Sequence, residues 1–545
     1  MKSIPGLLLS GFFLAFFSVL SAQPLHRMHA FTHQDTLRGT VTPQRSWWDV
    51  THYAITVAPD FDTKTIRGSN DIQFRVLEPG TDLQIDLQLP MHIDSVLWDA
   101  AKIPFTRDSN AFFLRFPETL KKGSLQTLRI AFSGKPREAV NPPWDGGWIW
   151  KRDGGNPWMT VACQGLGASV WYPCKDHQSD EPDSASLTMT VPDTLVGVGN
   201  GRLRSQTRNG NGTATYTWAV TNPINNYTII PYIGKYVNWN ETYKGEKGPL
   251  DCSYWVLDHD LEKARVQFKQ VQLMLACFEH WFGPYPFYED SYKLVETPHL
   301  GMEHQSAVAY GNKFMNGYLG RDLSSSGWGL KWDYIIVHES GHEWFGNNIT
   351  SKDIADMWIH EGFTDYSETL FVECQYGKQA ATDYIAGLRP GIQNRMPIIG
   401  PYGVNQEGSG DMYSKGANMI HTIRQVINND ETFRTILRGL NKTFYHQTVT
   451  AKQIEDYISK QSGIDFSKVF QQYLTEIHVP VLEYSFTGGR LRYRYANCIP
   501  GFTMPLKVTL DGEKWLRPTG QWQTLATQAA SLEIDRNFYV GTKLE

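Results

Sequence analysis

One short stretch near the middle of the chain most strongly constrains what this sequence can become. Residues 333–347 read DYIIVHESGHEWFGN, with His338 and His342 four positions apart. On a helix, side chains at i and i+4 leave the same face, so the two imidazoles converge. Glu339 then lies beside them, within reach of a metal-bound water. The pattern predicts a metal site with an adjacent carboxylate base.

Signals at both ends of the stretch favour a helix. Asp333 is a candidate N-cap, because an Asp side chain accepts hydrogen bonds from the free N–H groups of a first helical turn. Gly346 and Asn347 are residues that commonly end helices. Two histidines at this spacing can also be ordinary core residues bonded to backbone, so a third ligand is needed to decide.

A downstream carboxylate supplies that ligand. Glu361 follows His342 by nineteen residues in DMWIHEGFTDYSETLF, where Asp356 and the apolar spacing predict the start of a second amphipathic helix. Two histidines and one carboxylate leave a fourth position open, which is typical of catalytic zinc sites. Glu368 is either a solvated surface carboxylate or an acceptor that orients a ligand histidine. Asp365 is expected at the surface.

These motifs together resemble the aminopeptidase-N-like family of gluzincin metallopeptidases. The family pattern is HExxH, eighteen residues and then Glu, with WFGN after the second histidine and the third ligand inside EGFTDYSE. The resemblance implies one Zn2+ per chain, held by His338, His342 and Glu361, with Glu339 as the general base. It also implies substrates that are peptides with a free N-terminus.

A further segment, LGMEHQSAVAYG at 300–311, is similar to the family's Gly-x-Met-Glu-Asn motif. By this match Glu303 binds the ammonium of a free N-terminus, and the backbone of Gly301 and Met302 pairs with the substrate as an added strand. An ordinary loop carboxylate is the alternative for Glu303. The sequence departs from the motif at His304, where the family usually has Asn and where a titrating charge can arise near the amine site.

Two more segments match the family. DMYSKGANMIHTIRQVI is similar to its Tyr-x-Lys-Gly segment, which implies that Tyr413 donates a hydrogen bond to the developing oxyanion. In CQGLGASVWYPCKDH, Gln164 precedes the Pro-Cys pair by the family spacing, so its carbonyl oxygen is expected to accept from the substrate amine. This match is looser, because Ser169 stands where many members have Arg.

Composition fits a large enzyme without a polyanionic partner. The 545 residues suggest about three or four domains, and 41% hydrophobic residues suffice for well-buried cores. The 51 basic and 56 acidic residues nearly balance and form no basic stripe, so no nucleic-acid partner is expected. Six scattered cysteines contain no CxxC pair, and spacing alone does not give their pairing.

The N-terminal residues predict export. MKSIPGLLLSGFFLAFFSVLSAQP has a basic Lys2, an apolar stretch from Gly6 to Leu20 and a cleavage region around Ala22. A membrane span needs about 20 apolar residues, so we expect residues 1–22 to be a signal peptide, with an uncleaved anchor as the alternative. The mature protein is then expected to be secreted or periplasmic, without a stable membrane span.

Hydrophobic periodicity divides the rest of the chain. Residues 23–45 lack it and predict either a flexible lead-in or an edge arm. Short alternating runs, residues 227–230 among them, predict an N-terminal β domain over 46–238, and its opening is similar to the family's saddle-shaped antiparallel β domain. Helical patterns predict a mainly helical domain over 239–478, and the resemblance implies that it is a thermolysin-like catalytic domain. A small C-terminal β domain follows at 479–545, so the chain resembles a short form of the family, without the large C-terminal helical domain.

Three functions are open at this point. The favoured one is a zinc aminopeptidase. A zinc endopeptidase without strict N-terminal selectivity is the second, and only His304 favours it. The third is an inactive scaffold that binds peptides, although such a protein would be expected to lack Glu339 or Tyr413. Nothing in the sequence indicates the preferred N-terminal side chain or the oligomeric state.

Overall fold

The computed structural model describes residues 31–545, and the predicted signal peptide lies outside them. Within the described chain β-sheets come first, a mainly helical region follows, and two small sheets come last. This order confirms the predicted fold class. No helix in residues 31–545 combines the length and the apolar character that a membrane crossing requires.

The described chain opens with an ordered N-terminal arm, residues 31–46. Its helices are His33–Gly39 and Pro43–Ser46. Arg45 is fully buried and forms an ion pair with Asp86. Residues 23–30 of the predicted lead-in lie outside the described part of the chain. In residues 31–45 a buried and paired charge orders a polar segment that has no hydrophobic periodicity, which fits the alternative of an arm rather than a flexible segment.

An eight-stranded sheet forms the centre of the N-terminal β region. Its pairings are antiparallel except for one parallel pair, Trp48–Asp60 with Ser184–Pro192. Alternate side chains of these strands enter one apolar core. The other strands of this sheet are Thr65–Val76, His92–Trp98, Ala101–Lys102, Leu125–Gly134, Arg202–Arg208 and Thr213–Val220. Two smaller sheets contain Gly80–Asp86, Phe105–Asp108, Ala111–Leu120, Gly147–Asp153, Asn156–Ala162, Val196–Val198 and Tyr232–Gly234.

One strand predicted in this region is wrong. Residues 227–230 lie in and just after a 3-10 turn, Asn226–Thr228, in which the Asn225 side chain accepts from the Tyr227 N–H at 3.3 Å. An Asn side chain that bonds nearby backbone offers an alternative to strand pairing, which the apolar letters do not reveal. From this turn the Tyr227 hydroxyl contacts Glu303 in the interior.

Packed helices around a five-stranded sheet form the middle region. The predicted boundary at residue 238 falls inside the first strand, Tyr236–Gly245, and the domain boundaries stay a prediction. The other strands of the sheet are Gly248–Leu257, Tyr292–Glu296, Gly301–Met302 and Val308–Tyr310. Ile349–Ser351 pairs separately with Gln447–Val449. The helices are Leu261–Gln267, Gln270–Phe282, Tyr334–Gly341, Trp358–Tyr376, Lys378–Leu388, Ser414–Ile427, Asp430–Thr443, Ala451–Ser462 and Ser467–Thr475.

The C-terminal region consists of two small sheets. Its apolar side chains belong to the same buried core as the helices, so it packs against the middle region. One sheet contains Val481–Thr487, Arg490–Ala496, Gln523–Ala526 and Gly541–Leu544; the other contains Leu506–Thr509, Glu513–Leu516 and Glu533–Ile534.

Candidate active site

The HExxH helix, Tyr334–Gly341, brings the two histidines together. Asp333 caps it, accepting from the N–H groups of Ile335 at 3.1 Å and Ile336 at 3.3 Å. The helix ends before the predicted stop at Gly346, and His342 lies at its C-terminal cap. The imidazoles of His338 and His342 still face the same side, with ring centroids 5.1 Å apart.

Glu361 completes a cluster with these histidines from the glutamate helix, Trp358–Tyr376. Its Oε2 lies 3.3 Å from His342 Nε2 and 3.7 Å from His338 Nε2. This buried oxygen has no hydrogen-bond partner within residues 31–545, an arrangement that is costly unless a cation is bound. Two histidine nitrogens and a carboxylate are a common zinc donor set. The cluster therefore fits a zinc ion.

Each histidine is held through its other ring nitrogen. His338 Nδ1 lies 2.6 Å from Glu368 Oε1, and the second oxygen of Glu368 accepts from the Tyr384 hydroxyl at 2.5 Å. His342 Nδ1 lies 3.0 Å from the Phe345 carbonyl. Contacts of this kind orient a ligand ring and leave Nε2 for the metal. Because Glu368 is fully buried, the alternative of a solvated surface carboxylate is wrong.

The expectation that Asp365 lies at the surface is also wrong, since only 3% of it is exposed. The glutamate helix is buried on every side from its start to Val372, so a polar position on it does not mark a solvent face. Burial raises the pKa of Asp365 well above its usual range. Asp356 does not cap this helix; it accepts instead from the Tyr402 hydroxyl and the Ala451 N–H.

Glu303 lies beside the metal-ligand cluster and accepts two hydrogen bonds. Its Oε1 receives them from Gln164 Nε2 at 2.5 Å and from the Tyr227 hydroxyl at 2.9 Å. Gln164 Nε2 is also 3.3 Å from Glu361 Oε1. The amide N–H group of Gln164, rather than its carbonyl oxygen, therefore faces both carboxylates, which need a donor when they lie this close together.

Glu339, Tyr413, Gly301 and Met302 line the same cavity as the ligands and Glu303. Burial raises the pKa of Glu339 to about 7. A Cβ on Gly301 would lie 2.8 Å from Glu339 Oε1, so the close approach requires glycine. The Tyr413 ring stacks 6.1 Å from the His338 ring, and burial raises its pKa, so the hydroxyl keeps its proton.

His304 does not line this cavity. Its ring is fully buried, with Nδ1 2.5 Å from the Tyr232 hydroxyl. Burial lowers the pKa of His304 well below its usual range, so the ring is neutral near pH 7. The expectation of a titrating charge near the amine site is therefore wrong.

Several residues of the site carry no signal of their own in the sequence. Trp144 and Tyr318 line the cavity from segments outside the motifs. Tyr227 was predicted as part of a strand, which gave no reason to place it in the site. Tyr384 belongs to a different helix from its hydrogen-bond partner Glu368. Tyr334 could have been found, because it precedes His338 by one helical turn and its hydroxyl lies 3.1 Å from His338 Nδ1.

Comparison with known protein families agrees with this arrangement. Residues 266–473 match the peptidase family M1 domain, and residues 50–228 match the peptidase M1 N-terminal domain. Together the two matches cover more than half of the chain. The chain belongs to the peptidase M1 family. This membership confirms the resemblance to aminopeptidase-N-like gluzincins.

Relatives of this M1 family member are distant in sequence. It is 21% identical to the probable aminopeptidase 2 of Sulfurisphaera tokodaii, over 84% of this chain and 58% of that protein. It is 20% identical to aminopeptidase 2 of Candida albicans, over 80% of this chain and 48% of that protein. The chain thus spans about half the length of these relatives.

The solved structures that it resembles share the fold. The M1 zinc metallopeptidase from Deinococcus radiodurans superposes with a TM-score of 0.69 at 21% identity. The match covers 82% of this chain and 99% of that one. The N-terminal β region and the helical region therefore have the architecture of a known M1 metallopeptidase.

Proposed function

We propose that this M1 family protein is a zinc-dependent aminopeptidase that hydrolyses N-terminal residues from peptides. The observation that carries the proposal is the contact of Gln164 Nε2 with both Glu303, at 2.5 Å, and Glu361, at 3.3 Å. Glu303, whose carboxylate can bind a free ammonium, therefore lies next to Glu361, a candidate metal ligand. A peptide held by its amino terminus would then present its first peptide bond to the metal.

His338, His342 and Glu361 would hold one zinc ion, while Glu368 orients the first histidine. The partnerless Oε2 of Glu361 supports this assignment. When bound, zinc supplies Lewis acidity, which acidifies water and polarises a carbonyl group.

Glu339 and Tyr413 would provide the proton transfer and the charge stabilisation. Glu339 follows the ligand His338 directly and lines the same cavity, so its carboxylate can accept a proton from water and return it to the leaving amine. The protonated Tyr413 hydroxyl can donate to the oxygen that gains negative charge, and one such donor is commonly worth about 3 kcal/mol of barrier. Gly301–Met302 is the edge strand of its sheet, so its free side can bind the substrate as an added strand.

The two alternative functions have less support. His304, the only feature that favoured an endopeptidase, is buried outside the cavity. A non-catalytic scaffold has no need for Glu339 and Tyr413 in the same cavity as a complete metal-ligand set.

The test is hydrolysis of one short peptide with a free and with an acetylated N-terminus, before and after chelation and zinc restoration. We expect cleavage of the free form only, lost on chelation and restored by zinc. Equal cleavage of both forms would favour the endopeptidase, and no zinc-dependent turnover would favour the scaffold. Glu303→Ala should mainly erase the preference for the free form; unchanged preference would move amine recognition elsewhere.

We also propose that the protein is exported to the periplasm or the medium, with residues 1–22 as its signal peptide. The disulfide Cys277–Cys374 supports this, because disulfides persist mainly in oxidising compartments. Sequencing of the mature protein from the producing cell should give Gln23 as the first residue. A cytoplasmic protein that keeps Met1 would contradict export.

A further inference from the structure

The N-terminal arm, residues 31–46, contacts the loop that carries Gln164. Arg38 Nη2 donates to the Gly165 carbonyl at 3.0 Å, across 127 positions of the chain. Arg38 Nε lies 3.4 Å from Asp176 Oδ2, and these side chains are 17% and 8% exposed. The guanidinium of Arg38 therefore contacts the backbone of Gly165, the residue that follows Gln164.

The loop has a shape that accepts this guanidinium. A Cβ on Gly167 would lie 2.1 Å from Arg38 Nη2 and 2.2 Å from Asp176 Oδ2, so only glycine leaves room for the pair. The φ of Gly167 is 99°, which also favours glycine. Ser169 bonds the same Asp176 oxygen through Oγ at 2.5 Å and through its N–H at 3.2 Å. Asp176 thus joins Arg38 to the loop.

The arm is anchored, which gives Arg38 a defined position. Arg45 Nη1 donates to the carbonyls of Leu37 at 3.0 Å, Arg38 at 2.7 Å and Thr40 at 3.0 Å. Its second terminal nitrogen, Nη2, forms the buried ion pair with Asp86. Helices as short as those of the arm are not stable by themselves, so these bonds hold the backbone from which Arg38 extends.

The same Gly165 carbonyl is held from the catalytic region as well. Asn405 Nδ2 donates to it at 3.2 Å, and the Asn405 N–H donates to the Asp35 carbonyl at 3.0 Å. Thr40 Oγ1 donates to the Gly403 carbonyl at 2.7 Å. The Gln164 loop is therefore fixed between the arm and the segment around residues 403–405.

We propose that Arg38 is a positioning residue for recognition of the substrate's free amino group. By fixing the backbone of Gly165, it keeps the adjacent Gln164 amide on the Glu303 carboxylate, and so keeps that carboxylate oriented toward an incoming ammonium. Arg38 itself does not line the cavity that contains Glu303 and the metal-ligand cluster. The inference rests on the proposed aminopeptidase function.

The first experiment compares Arg38→Ala with a matched control, Arg152→Ala, in the zinc-loaded full chain. Arg152 also donates to a glycine carbonyl, Gly155 at 2.7 Å, and pairs with an Asp, Asp62 at 3.3 Å, but on an exposed hairpin. We expect Arg38→Ala to raise KM for the free peptide about tenfold, as one lost hydrogen bond would, and to keep kcat within about threefold. The preference for free over acetylated peptide should fall, while Arg152→Ala should match wild type.

Binding measured without turnover provides an independent readout. In a Glu339→Gln background, adding Arg38→Ala should weaken the calorimetric affinity for an amino-acid amide about tenfold. Arg38→Lys should give an intermediate loss, because an ammonium can contact the carbonyl or the carboxylate but lacks the guanidinium fork. If Arg38→Ala does not fold, Arg38→Lys carries the comparison.

A double-mutant cycle tests whether Arg38 acts through Gln164. Adding Arg38→Ala to Gln164→Ala should change KM no further, because the group that it positions is already absent. Fully additive effects, or an Arg38→Ala protein that behaves like Arg152→Ala, would overturn the inference. If wild type itself cleaves free and acetylated peptides equally, the proposed function fails; if wild type discriminates and neither Arg38 variant differs from it, only the role of Arg38 fails.

Discussion

Single atoms decide the chemistry of the candidate site. His338 and His342 both direct Nε2 toward Glu361, because Glu368 and a backbone carbonyl occupy the two Nδ1 atoms. Glu339 lines the same cavity but is not one of the three side chains expected to hold zinc, so mutation of Glu339 can test whether its role is separate from metal binding.

The substitution Glu339→Gln tests this separation. It removes the base and keeps the size of the side chain, so kcat/KM should fall by about 10²–10⁴-fold. Zinc content by elemental analysis should stay at one ion per chain. A variant with near-normal turnover would mean that another group accepts the proton.

Glu368→Gln should weaken zinc binding, because a neutral amide polarises the imidazole of His338 less than a carboxylate does. Loss of such a contact typically costs about 10–100-fold in metal affinity, which chelator competition measures. Glu373→Gln is the matched control: Glu373 lies on the same helix but bonds Arg424, at 2.6 Å. Equal zinc affinities of the two variants would contradict the role of Glu368.

Among the elements, the HExxH helix depends most on one buried side chain. Besides its two backbone contacts, Asp333 accepts from Gln267 Nε2 at 2.7 Å, the Tyr310 hydroxyl at 2.7 Å and Asn312 Nδ2 at 2.8 Å. Asp333 therefore also connects this short helix to helix Leu261–Gln267 and to strand Val308–Tyr310.

Asp333→Ala should lower the free energy of unfolding by about 2–4 kcal/mol, through loss of the cap and through buried donors left unpaired. Urea denaturation of the metal-free protein measures it. Asn429→Ala removes an exposed cap, whose side chain accepts from the Thr432 N–H at 2.9 Å, and should cost only about 1 kcal/mol. Similar losses in the two variants would argue against the buried network.

At the scale of the whole molecule, the site depends on how separate regions meet. Gln164 comes from the N-terminal β region, whereas Glu303 and the metal ligands come from the middle region. The disulfide Cys277–Cys374 ties the glutamate helix to helix Gln270–Phe282 across 97 positions.

Replacing both Cys277 and Cys374 by Ala should therefore lower the free energy of unfolding by about 2–5 kcal/mol. Zinc content should be unchanged, because neither cysteine contacts a ligand. Adding a reductant should shift the urea midpoint of wild type but not that of the double variant, and Cys498→Ala, which removes an unpaired thiol, should behave as wild type. Identical reductant responses would contradict a stabilising bridge.

The sequence by itself predicted the three candidate metal ligands and determined the order of the regions. The spacing of His338 and His342 acts within one helical turn, and hydrophobic periodicity reports locally on strands and helices. Both patterns depend only on residues close together in the chain, so they can be interpreted without knowledge of the fold. The Asp333 cap was predictable for the same reason.

Only the tertiary structure decided what surrounds those residues. The burial of Asp365, the neutrality of His304 and the amide orientation of Gln164 all depend on neighbours distant in the chain. So does the ordered arm that carries Arg38 to the Gln164 loop. The residues that pack against a side chain determine its burial and its hydrogen-bond partners. In a chain that folds from several regions, those residues are seldom neighbours in the sequence.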